Sequence, residues 1–184
     1  MKNIAAAALI ALGLCAGGFL ARDVRNVTNA ILDAADAANF GLTNMALNKI
    51  VYFAHAWSLA LQSRPLVDSP FEAWQFGPVH PQVYRQLKAF GDGVVQSRLT
   101  RIDLETGGDI PVEVRLDPDE VAHIERVTRF YGGYSAAKLV RISHEPGAPW
   151  DKVWSSAQGR ACPGMVIPDD LTESFYRSKL QSRS

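Results

Sequence analysis

The chain has 184 residues, with 19 Lys and Arg against 19 Asp and Glu, 47% hydrophobic residues, 14 Gly, 10 Pro and two Cys. This describes one ordinary globular domain with at most a short appendage, and excludes collagen-like, disulfide-stapled and wholly disordered classes. A formal net charge of zero argues against a protein whose main task is coating nucleic acid or an anionic membrane, and leaves room only for a local patch.

The N-terminus departs furthest from that composition, because Ile4 to Ala21 carry no charge after the single Lys2. Three readings compete. The run resembles an export signal with a small-x-small site at Ala16-Gly17-Gly18, or a membrane anchor near the lower length limit and diluted by alanine and glycine. It is equally readable as a misassigned gene start. Bulky Leu14 before Cys15 argues against a lipoprotein signal. Cys15 and Cys162 are far apart, so a structural disulfide is not expected and a reducing compartment is.

Val24, Val27, Ile31, Ala34 and Ala38 recur at three- and four-residue steps, which predicts an amphipathic helix from Ala21 to Ala38, stopped by Gly41. Thr43 and Asn44 offer caps for a second helix running to about Gln62. That helix is apolar nearly all round, so it belongs at the centre of the core. Pro65 and Pro70 bar any helix from 64 to 70. Phe71 to Phe76 then reads as a short extended segment, Gly77-Pro78 as a turn, and Pro81 as the first residue of a helix to Phe90. Leu99 to Leu104 and the alternating Ile110 to Leu116 flank Thr106-Gly107-Gly108-Asp109, which predicts a β-hairpin over 99–116. Asp117 to Glu120 open a helix reaching Tyr131, Ser135 caps another, Pro149 opens a short one and Pro168 the last. The expected fold is mainly α with a small β element: a compact helical domain around a central apolar helix, with one hairpin near 99–116.

Chemistry-bearing patterns are sparse. His55, His80, His123 and His144 include no pair at the spacing of a zinc helix motif. His55 reads as a hydrogen-bonded core histidine and His123 as a residue on a charged helix face. There is no nucleophile elbow, phosphate loop or dinucleotide fingerprint, and no signature surrounds Cys162. No catalytic residue, cofactor or metal is therefore expected. The unusual segment is Phe71 to Tyr84, which compresses aromatic residues and two prolines into a turn before a helix. Two readings stay open: Trp74 and Phe76 seal the core, or they form a rigid aromatic ledge that binds a partner.

Three blocks carry a family resemblance: Leu42-Thr43-Asn44-Met45-Ala46-Leu47-Asn48-Lys49-Ile50-Val51-Tyr52-Phe53-Ala54-His55-Ala56-Trp57, then Arg64-Pro65-Leu66, then Glu72 through Tyr84 with its Gly77-Pro78-Val79-His80-Pro81 centre. In order and spacing they resemble the Panacea domain, a family that includes SocA-like antitoxins and many proteins labelled only as phage-associated. His144-Glu145-Pro146-Gly147-Ala148-Pro149-Trp150-Asp151 is similar to its later block. The likeness spans roughly residues 21–180, as one domain, and leaves 1–20 as an extension without a counterpart. It implies an antitoxin that neutralises a genetically linked toxin by direct protein binding, through occlusion or delivery to a protease, with no established cofactor or catalytic residue. The expected binding surface is the ledge formed by Trp74, Phe76, Gly77, Pro78, Val79, Pro81 and Tyr84, with Lys49 and Tyr52 nearby on the central helix. A cytosolic toxin implies a cytoplasmic protein, with membrane tethering or export as the alternative. The other function considered is a DNA-binding regulator using the 81–90 helix and the 99–116 hairpin, with Arg85, Lys88, Arg98, Arg101 and Arg115 supplying charge.

Overall fold

A computed structural model of the protein describes residues 20–158 and 164–181. The readings of residues 1–19 and of both cysteines lie outside them. Among the described residues no helix is long and apolar enough to cross a membrane.

The first helix, α1, runs Val24–Ala37. It starts later than its apolar period suggests, because the Asp23 carboxylate accepts from the Arg25 backbone N–H and marks the true N-terminus. Asn39, in the left-handed region at φ 56, ends it ahead of Gly41. Gly41 serves a close approach instead: a Cβ there would lie 3.0 Å from Val94 Cγ2. The central helix α2, Asn44–Gln62, is capped by the Thr43 hydroxyl and ends at Ser63, also left-handed. It is buried along nearly its whole length and packs against α1, α4 (Pro118–Tyr131), α5 (Ala136–Ser143) and α7 (Asp169–Gln181). That arrangement is the mainly helical fold expected from an all-round apolar helix. Leu47, Ile50, Val51, Phe53, Trp57, Ile31, Val127 and Leu139 form one continuous core, each large apolar side chain contributing about 1.5–3 kcal/mol of burial. The Trp57 indole N–H donates to the Tyr131 hydroxyl at 3.0 Å, so this polar group is satisfied inside the core.

Two small antiparallel sheets complete the fold. The first, in the order β2-β1-β5, joins β1 (Phe71–Trp74) to β2 (Gly77–Val79) and to β5 (Val166–Ile167). Its hairpin was not expected. Gly77-Pro78 reads as a turn because Pro78 lacks an N–H, yet the turn is Gln75-Phe76, with Trp74 paired to Gly77 and Ala73 to Pro78. Pro78 is tolerated because β2 is an edge strand. The second sheet is the expected hairpin, but shorter: β3 (Thr100–Ile102) and β4 (Asp109–Pro111). Residues 113–116 leave it, and Arg115 instead exchanges backbone bonds with the Asn26 amide. Between the sheets, α3 (Pro81–Leu87) runs into one 3-10 turn, Lys88–Phe90. The short α6, Pro149–Ser156, lies against β1 and β5.

Candidate functional site: an aromatic-rimmed cleft over a buried lysine

The β1–β2 hairpin, the start of α2 and the α3 turn enclose a cleft of about 430 Å³. Its walls are Asn44, Asn48 and Lys49 from α2, Trp74 to Phe76 from the hairpin, and Tyr84 and Lys88 from α3 and its extension. The Trp74 and Tyr84 rings meet edge to face, centroids 4.9 Å apart. Trp74 is further fixed by its indole N–H, which donates to Glu72 Oε2 at 2.8 Å, and by its carbonyl, which accepts from the Trp150 indole N–H at 2.8 Å. Phe76, at the tip, is 55% exposed. The hairpin therefore presents a large apolar ring to solvent on a base already locked by the core, a low-entropy arrangement for contact.

Lys49 is 1% exposed. Its Nζ donates to the Pro78 carbonyl at 2.8 Å, and no carboxylate pairs with it among the described residues. Burial brings this amine down to about 7, since a charge removed from water without a counter-ion is costly. Gly77 makes the approach possible. At φ +100 it adopts backbone that disfavours a side chain, and a Cβ would lie 2.5 Å from Ser143 Oγ and 2.9 Å from Lys49 Cε. Above Lys49, the Asn48 amide donates to Asn44 Oδ1 at 2.8 Å while its oxygen accepts the His80 backbone N–H at 3.0 Å. The helix start, the second strand and the entry to α3 are thus tied together around the lysine.

The expected surface residues divide into two groups. Trp74, Phe76 and Tyr84 form the rim; Lys49 and Val79 line the cleft from buried positions. Gly77 and Pro78 are buried and act as support, and Pro81 is half-buried at the first turn of α3. Tyr52 faces the core, its ring against Phe53, Phe71 and Tyr176, and burial raises its hydroxyl well above the usual range. The expectation that both Trp74 and Phe76 seal the core divides: Trp74 is fixed against it, while Phe76 is exposed. Asn44, Asn48, Lys88 and Asp92 were not anticipated as cleft residues. Asn44, Asn48 and Lys49, polar residues grouped near the start of a largely apolar helix, are the signal for the first two; Lys88 and Asp92 carry none.

Each histidine makes a contact within the fold. His55 accepts the Val67 backbone N–H through Nδ1 at 3.3 Å and donates from Nε2 to Asp169 at 2.9 Å, which fixes its tautomer. His80 packs edge-on against Phe71, with Nε2 at 3.0 Å from the Ser69 hydroxyl, and burial lowers it to about 4. His123, expected on a charged face, is buried: its Nε2 lies 2.8 Å from the Ala54 carbonyl, because it shares the inward stripe of Val127 and Glu120. His144 stacks flat on Trp150 at 3.6 Å; burial and then the nearby Lys49 lower it. Among the described residues no group of three or more His, Cys, Asp and Glu is placed to hold a metal ion.

Comparisons with known proteins place the chain among its relatives. The pattern of the family described as antitoxin SocA-like, Panacea domain, matches residues 47–151. A curated protein named Antitoxin SocA, from Caulobacter vibrioides (strain NA1000 / CB15N), is 40% identical over 155 residues, covering 84% of this chain and 82% of its own. No solved structure matches.

Proposed function

We propose, from the premise that the chain belongs to the SocA-like, Panacea-domain antitoxin family, that it neutralises a genetically linked toxin by binding it directly at the aromatic-rimmed cleft. The observation that carries this reading is the combination of an exposed Phe76 with a rigid Trp74–Tyr84 wall around a 430 Å³ concavity. Interface hot spots favour such preorganised aromatic anchors beside a pocket. Neutralisation follows either by covering the toxin's working surface or by holding the toxin for a protease.

The DNA-reading alternative draws less support. Arg98 is held by Asp33 and Asp36, and Arg115 by Glu113, so two of the five supporting cations are already neutralised. The candidate recognition helix has only seven residues, with Val83 and Leu87 turned into the core. Phosphate binding needs clustered cations on one face.

Co-expression with the adjacent reading frame tests the proposal. The neighbour should arrest growth alone and be tolerated with this protein, and the two should co-purify at fixed stoichiometry. A neighbour that stays toxic in its presence contradicts the reading. Toxin levels that fall only when a protease is active assign delivery, and unchanged levels assign occlusion.

A further inference from the structure

Lys49 is out of place as a core residue. A buried lysine ordinarily pairs with a carboxylate, and among the described residues Lys49 has none, although it lines the cleft. Among the described residues its one hydrogen bond is to the Pro78 carbonyl, which uses one of three ammonium donors. The groups around it do not supply the missing charge. His144 is the titratable neighbour whose interaction with it is resolved, and it repels. Ser143 approaches by way of Gly77 and donates its own proton to Val140. Asn44 and Asn48 are neutral and engaged with each other, and Lys88 adds a second cation to the cleft wall. The acid of the cleft, Asp92, is exposed and makes no ion pair with Lys49.

We infer that the cleft receives an aspartate or glutamate side chain from the toxin, whose carboxylate pairs with the Lys49 ammonium while flanking apolar residues of the same segment pack on Trp74, Phe76 and Tyr84. This rests on the cleft being the toxin-binding surface. A cleft of 430 Å³ holds more than one side chain, so the acid enters with its apolar neighbours. An arriving carboxylate supplies the counter-charge that the described residues lack, and a desolvated pair in a cleft selects strongly against partners without it. Such a device suits a surface that must distinguish one protein from many, since the aromatic rim alone is permissive.

The test uses the full chain and its cognate toxin. Lys49→Met keeps the length of the side chain and removes the charge; with its folding checked by thermal melting, it should weaken toxin binding about thirty-fold or more. Lys49→Gln, which retains a donor for Pro78, covers the case in which the methionine variant does not fold. Each Asp and Glu of the toxin is then changed to Asn or Gln, and one of these changes should weaken binding to the wild type but not to the lysine variant. Binding unchanged in both lysine variants overturns the inference. So does loss that couples to no toxin side chain but to amidation of the toxin's C-terminus. If Trp74→Ala and Phe76→Ala also leave binding intact, the cleft itself is not the interface. If they abolish it while Lys49→Met does not, only the carboxylate assignment fails.

Discussion

The described residues include two β-hairpins of similar length with very different footings. The first, 71–79, stands on the core: β1 is flanked by β2 and β5, its Trp74 carbonyl accepts from Trp150, and the Pro78 carbonyl of β2 accepts from Lys49. The second, 100–111, is joined at its base through the Asn29 amide, which bonds Leu99 and Val112, and through the Gln86 amide at Thr100. Beyond that base its side chains face water, with Leu104 94% exposed. Both hairpins expose apolar residues, but only the first holds them against a concave, preorganised wall. Exposure alone does not make a binding surface; exposure on a fixed scaffold beside a cleft does.

Gly77→Ala should break the contrast most completely. Positive φ and the clash with Ser143 and Lys49 should cost about 3–4 kcal/mol of stability and abolish toxin binding, read by thermal melting and co-purification. Acid comes next. His80 is held neutral by the fold, down to about 4 from an ordinary 6.5, so the unfolded chain binds more protons between those values. Stability should therefore fall as pH drops from about 6.5 to 4, by about 3 kcal/mol from this group. Denaturant midpoints across that range should decline less in His80→Gln. Asn29→Ala removes the clamp under the second hairpin and should cost about 2 kcal/mol of stability, yet antitoxin activity should persist at a permissive temperature. Phe76→Ala should do the reverse: no more than about 0.5 kcal/mol in stability, but about 1–2 kcal/mol in toxin affinity by calorimetry. Leu104→Ser, at the tip of the second hairpin, should change neither quantity by more than about 0.5 kcal/mol.

Much of this architecture was legible in the chain. The apolar circumference of α2, the acidic start of α4 at Asp117 to Glu120 and the Ser135 cap of α5 follow from local chemistry and appear as expected. The three-stranded sheet was not legible, because strands of four, three and two residues carry too few positions for a period, and β5 joins β1 from nearly a hundred residues away. The second hairpin was overextended because the alternation of residues 110–116 continues past the point where Asn26 captures the backbone. At the cleft, aromatic density marked Trp74, Phe76 and Tyr84 correctly as neighbours. It also drew in Tyr52, whose helical position turns it instead toward Phe71 and Tyr176. The role of Gly77 depends on a contact with Lys49 and Ser143, which only the fold brings together.

The central claim is that the toxin sits on the first hairpin and its cleft. Amide hydrogen exchange on the full chain, with and without the protein encoded beside it, tests that claim most directly. The account predicts slowed exchange at residues 74–79 and 84–92 on complex formation, with 101–110 unchanged. Protection confined to 101–110, with 74–92 unaffected, would contradict it.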